Sequence, residues 1–303
     1  MNKWLYSGLV LLATSLMGSS FAIGKMGLAY SSPILFVSFR FTLAGIVMGT
    51  LVKLFQRVHP KSYKAWGKVI IVGLFQTTGV MGCIFLSLKT INAGESSILT
   101  FTNPFLVVLF ATLFTKAKYR VLQWLGVSIG FIGVFITLGM SLQYEIGTLF
   151  AFASAVSWAI ATLLVKAWEK EFDNWVLTAY QMLFGGILLM IASFLFENPS
   201  FIITSESIAI LLWLAIMASV VQFGSWFTVL RLGDPGKTSA FLFLAPFFGV
   251  LSGWFLLNET LTGELLIGGL FIFFGIFLVN WNPVLKRNRP LKNMNCNREE
   301  QSR

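Results

Sequence analysis

The sequence predicts an all-α integral membrane protein: ten transmembrane helices arranged as two inverted five-helix repeats. Three observations carry this prediction. The composition is too apolar for water to solvate, ten apolar windows have bilayer-crossing length, and the second half of the chain repeats the first.

Of 303 residues, 56% are hydrophobic and 11% charged, and the mean hydropathy is +0.81. Soluble globular chains carry roughly 25% charged residues, so a chain this apolar could not cover its surface in water. A spanning helix takes roughly 20 residues, which leaves room for about ten spans, short connections and no sizeable soluble domain. The net charge of +10 fits the basic bias of cytoplasmic loops better than nucleic-acid binding. Cys83 lies in an apolar stretch and Cys296 in a polar one, which suggests neither a disulfide nor a metal cluster. His59, beside Pro60 in a basic loop, reads as a solvated side chain. The apolar run after Lys3 looks like a signal peptide, but no small-x-small cleavage site precedes Lys25 and the repeat needs this segment. It reads as the first span.

The apolar windows fall at 4–23, 34–55, 66–86, 96–115, 121–139, 147–166, 175–195, 208–229, 237–256 and 262–281. Their continuous runs indicate helices rather than the alternating ten-residue segments of a barrel. Short punctuators divide them: Ser31-Ser32-Pro33, His59-Pro60, Asn198-Pro199, Gly233-Asp234-Pro235-Gly236 and Asn282-Pro283. Between the fourth and fifth windows only residues 115–120 intervene. From 283 to 303 the chain is polar and basic and reads as a disordered tail. With the amino terminus inside and ten crossings, 19 of the 22 Lys and Arg residues face the cytoplasm. Lys25 and Lys89 fall outside and Arg40 within a span. One helix more or fewer would scramble this asymmetry, so the positive-inside rule supports both the count and two cytoplasmic termini.

Residues 88–135 align without a gap onto 230–277, an offset of 142. The identities include Gly94/Gly236, Pro104/Pro246, Gly126/Gly268 and Gly133/Gly275. Earlier, an offset of 141 pairs Lys25 with Lys166, Arg40 with Gln181 and Gly45 with Gly186. The repeats are bounded at 1–141 and 142–282. Five spans per half is an odd number, so the second half must enter the membrane upside down. The loops agree: His59, Lys61 and Lys64 follow the second span, whereas the matching stretch after the seventh holds Glu197 and Glu206 with no Lys or Arg. Inverted repeats meeting around a midplane site are a transporter signature.

Several motifs carry a family likeness: Gly18-Ser19-Ser20-Phe21, Phe39-Arg40-Phe41, Asn103-Pro104-Phe105, Ala245-Pro246-Phe247, and Leu257-Asn258-Glu259-Thr260-Leu261-Thr262 leading to Gly268 and Gly275. In this order, and repeated in both halves, they make the chain up to about residue 282 resemble the EamA-type transporters of the drug/metabolite transporter superfamily. One departure is visible, since Ala117 stands where the second half has Glu259. The resemblance implies an exporter or exchanger of amino acids or other small metabolites, multi-pass in a bacterial cell membrane. The expected partners are a small-molecule substrate and the lipid bilayer, with a homodimer left open, no nucleic acid and no cofactor or metal.

Spans interrupted by Gly or Pro at matching positions point to the transport site. These are the fourth and ninth, through Pro104 and Pro246, with Gly79, Gly82 and Gly224 on the neighbouring third and eighth. A central cavity between these four helices is the expectation, with Gln76 and Asn103 among its polar contacts. Gln181 and Gln222 are further candidates for binding a polar substrate, with helix-to-helix bonding as the alternative for each. Arg40 lies about a third of the way into the second span. It either snorkels outward or faces the cavity, where it would suit a carboxylate. Trp158 sits inside a span rather than at the interfacial belt, so it walls a cavity or simply packs. No Asp, Glu or His lies at bilayer depth, which argues against an intramembrane enzyme and leaves proton coupling without a visible relay. A lipid flippase, a channel and a receptor are the rival readings.

Overall fold

The computed structural model describes residues 3–116, 119–137, 145–232 and 241–280. The Gly233–Gly236 turn, Ala117 and Lys118, and the basic tail from 283 lie outside the described residues. What is described is helical, apart from one isolated antiparallel bridge between Ser31 and Phe201.

In chain order the helices are α1 (Lys3–Gly27), α2 (Pro33–Leu54), α3 (Tyr63–Gly73), α4 (Val80–Ser87), α5 (Ala93–Thr100), α6 (Asn103–Thr115), α7 (Val121–Thr137), α8 (Ile146–Trp168), α9 (Asn174–Phe196), α10 (Ser205–Ala215), α11 (Gln222–Leu232), α12 (Leu244–Leu257) and α13 (Gly263–Asn280). A π turn, Leu74–Gly79, joins α3 to α4, and a second, Ile216–Val221, joins α10 to α11. The two turns begin 142 residues apart. Counting α3–α4, α5–α6 and α10–α11 each as one, seven helices among the described residues are long and apolar enough to cross a membrane. Three shorter apolar ones lie at Val121–Ile136, Leu244–Leu257 and Gly263–Val279. The outer surface is itself apolar: Ile46, Phe135, Phe194, Trp254 and Phe274 are each more than half exposed, as suits side chains solvated by lipid.

The sequence reads 96–115 as one span interrupted through Pro104, and the structure breaks it at Phe101–Thr102. Pro104 is the reason. It donates no backbone hydrogen bond, and its ring clashes with the preceding turn, so a new helix starts at Asn103 with the proline in its first turn. The ninth window departs in a similar place, where a 3₁₀ turn, Phe241–Phe243, precedes α12.

Close helix crossings tie the first half to the second. α2 packs along α9 and α7 along α13, and glycines let the backbones approach. A Cβ on Gly45 would stand 2.5 Å from Leu183 N, and one on Gly186 would stand 2.5 Å from Thr42 N. On the other pair, a Cβ on Gly126 would lie 2.8 Å from the Gly275 carbonyl oxygen and one on Gly133 2.7 Å from that of Gly268. The interior between the crossings holds fully buried Phe36, Phe41, Phe85 and Phe105.

Candidate functional site

Arg40 is the costliest residue in the interior, because a charge away from water needs strong partners. It is 3% exposed, so it does not snorkel. Its Nε donates to Ser219 Oγ at 3.2 Å and its Nη2 to the Ala218 carbonyl at 3.0 Å. The guanidinium also lies 4.7 Å from the Phe41 ring centroid. Both acceptors belong to the second π turn. A π turn widens the helix and displaces its hydrogen-bond ladder, which leaves carbonyls available to a side chain from another helix.

The first π turn does the corresponding work for neutral partners. Thr77 Oγ1 donates to Gln181 Oε1 at 2.6 Å, and Ser157 Oγ donates to the Phe75 carbonyl at 2.8 Å. Gln181 is therefore held between α9 and the first π turn, bonding helix to helix.

Arg40, Gln76, Gln222 and Trp158 line one central cavity. Its space for a water-sized solute is about 40 Å³. Met17 and Phe21 of α1, Phe41 of α2, Ile84 and Phe85 of α4, Phe101 at the break after α5 and Phe223 of α11 supply most of the remaining wall. The walls thus come from the first, second and sixth windows as well as the third, fourth and eighth, and no described residue of the ninth lines this cavity. Gln76 is half-buried on the first π turn. Gln222 is 2% exposed, and its Nε2 has no hydrogen-bond partner. An orphaned buried donor costs about 1–3 kcal/mol, so a cavity-lining one marks a place where a ligand acceptor would be favoured.

Asn103 is buried beside a second cavity of about 300 Å³, with Pro104, Val107, Tyr119, Gln123 and Thr162. Phe101 and Trp158 line both cavities. Their rings meet edge to face with centroids 5.4 Å apart, so this aromatic pair stands between the two spaces.

Two carboxylates of the second half cap helices of the first. Glu259 accepts from Lys25 Nζ at 2.9 Å and from the Ala93 and Gly94 amides at 2.8 and 3.2 Å. It thereby caps the amino end of α5, where backbone N–H groups lack helical partners and the dipole favours an anion. Glu197 caps α2 in the same way through the Ile34 and Leu35 amides, at 3.2 and 2.7 Å. Glu259 belongs to the second half of the chain, and the helix it caps to the first. The aromatic lining escaped sequence reasoning, because 31 phenylalanines give no signal of which ones face inward.

Comparison with known proteins agrees with this architecture. The model of the EamA-like transporter family matches twice, over residues 4–139 and 145–281. The uncharacterized transporter YvbV of Bacillus subtilis is 30% identical, with 87% of each chain covered. A chloroplastic WAT1-related protein of Arabidopsis thaliana is 26% identical over 87% of this chain and 66% of its own. A solved crystal structure superposes with a TM-score of 0.65 at 22% identity, covering 90% of this chain and 97% of the other. That last likeness concerns the fold alone.

Proposed function

Given that this chain belongs to the EamA-like transporter family, we propose that it carries small polar metabolites, amino acids or related compounds, by alternating access, as an exporter or exchanger. It is a multi-pass membrane transporter; substrate class and mechanism are our reading. The observation that carries this reading is the central cavity, to which the first half contributes Arg40, Gln76 and Phe101 and the second Trp158 and Gln222. A site shared between halves opens to either side when one half rocks against the other.

Ten spans and inverted halves are part of the same proposal. Internal pairing supports them. Gly45 meets Leu183 while Gly186 meets Thr42, and Gly126 meets Gly275 while Gly133 meets Gly268. At offsets of 141 and 142 each contact maps onto its mate, as a two-fold axis between halves would produce. The π turns and the breaks near Phe101 and Phe243 obey the same offset. Both termini then face the cytoplasm in a bacterial plasma membrane, and the 300 Å³ cavity faces inward.

The test is counterflow in proteoliposomes loaded with single unlabelled amino acids and organic metabolites. Transient accumulation of the matching labelled compound is expected for a subset of the panel. No accumulation for any compound, from protein that reconstitutes and melts cooperatively, overturns the carrier reading.

A further inference from the structure

We propose that the central cavity is built for an organic anion: a small carboxylate with an apolar or aromatic body, gripped at its charged end by Arg40 and Gln222. This rests on the carrier reading and narrows its substrate class.

The first support is the charge itself. Among the described residues the ion pairs are Lys25–Glu259, Arg57–Asp173 and Lys68–Glu171, so no carboxylate neutralises Arg40. Its Nε and Nη2 are committed to neutral oxygens, and Nη1 has no protein acceptor among the described residues. A buried guanidinium beside a cavity, with donors to spare, attracts an anion, and its planar fork matches a carboxylate.

An internal control separates this from a structural role. Gln181 occupies the position in the second half that Arg40 occupies in the first, and Thr77 occupies that of Ser219. Gln181 accepts from Thr77 on the first π turn, where Arg40 donates to Ser219 on the second. A neutral amide is thus sufficient to tie this helix to a π turn. The positive charge at Arg40 exceeds what the tie needs, and it points to a ligand.

The second donor is independent. Gln222 lines the same cavity and its Nε2 is buried without a partner, so α2 and α11 each bring a donor-bearing side chain to one space. The rest of the wall selects the body. Phe21, Phe41, Phe85, Phe101, Trp158 and Phe223 surround it, and among the described residues no Asp or Glu lines it. An ammonium group would meet Arg40 with no acid to hold it, so a simple carboxylate suits the cavity better than a zwitterion. Room for such a body requires the Phe101–Trp158 pair to part, joining the central space to its 300 Å³ neighbour.

The test uses four probes sharing one ring: phenylacetate, neutral phenylacetamide, cationic phenethylamine and zwitterionic phenylalanine. Binding is read as a ligand-induced rise in melting temperature of the purified full chain, and transport as counterflow. Phenylacetate is expected to bind at least about 10-fold more tightly than the other three. Arg40→Gln, which installs the residue found at the matching position, should melt like the parent and lose roughly 10- to 100-fold in phenylacetate affinity. Gln222→Met should melt at or above the parent temperature, since it removes an orphaned donor, and still bind phenylacetate about 10-fold more weakly. Equal or better binding of the amine, the amide or the zwitterion, or unchanged phenylacetate affinity in either variant, overturns the anion site. Counterflow of amines or zwitterions without phenylacetate sinks the anion site and leaves the carrier standing. No counterflow across the wider metabolite panel sinks both.

Discussion

At the residue scale, burial rather than distance decides which polar contacts matter. Lys68 and Glu171 approach to 2.6 Å but are 30% and 45% exposed, whereas Lys25 and Glu259 stand 2.9 Å apart at 28% and 9%. The first pair is screened by solvent and is worth at most about 1 kcal/mol. Glu259 also accepts two backbone amides, and removing it strands an ammonium and two helix-end donors together. Glu259→Ala should therefore cost about 2–3 kcal/mol and lower the melting temperature in detergent clearly more than Lys68→Ala does. Equal effects would show the Glu259 cap to be solvated. The sequence made part of the central site legible at this scale. Arg40, Gln76, Gln222 and Trp158 stood out as polar or amphipathic groups within apolar windows, and the structure gathers them around one cavity. Asn103 and Gln181 carry the same sequence signal but lie elsewhere, one beside the neighbouring cavity and one bonded to Thr77. Composition marks a costly side chain without saying whether helix or cavity absorbs the cost.

At the element scale, hydrophobic length located the helices and prolines located one break, but neither π turn was legible. A π turn has no residue signature comparable to Pro or Gly, and it follows from how the flanking helices pack. Glycine faces were legible as repeats, though which glycines touch backbone was not. Gly45 and Gly49 lie one turn apart on α2, yet a Cβ at Gly45 meets Leu183 at 2.5 Å and one at Gly49 meets nothing within 4 Å. Gly45→Ala should destabilise by about 1–3 kcal/mol through overpacking. Gly49→Ala should be neutral or gain up to about 1 kcal/mol from helix propensity. Melting curves of the two variants give the comparison, and a tolerated Gly45→Ala would mean that α2 and α9 are not so closely packed.

At the scale of the whole molecule, sidedness is the testable quantity. Single cysteines placed at 198–203 should react with an impermeant maleimide added to intact cells, and cysteines at 57–64 should react only after permeabilisation. The reverse pattern would invert the proposed topology and place the cavity beside Asn103 on the outside. The glycine crossings have a further consequence, which concerns synthesis. The partner of α2 is α9, and the partner of α7 is α13, the last helix described. At about 5–20 residues per second of translation, α2 waits on the order of ten seconds for α9 to be made. During that time it sits in lipid with its glycine face uncovered. The two halves are repeats in sequence but interlocked as a folded object, so neither is a folding unit. A nascent chain stalled after the fifth window should remain open to proteases and to the membrane's quality control, and stability should arrive only when α13 leaves the ribosome.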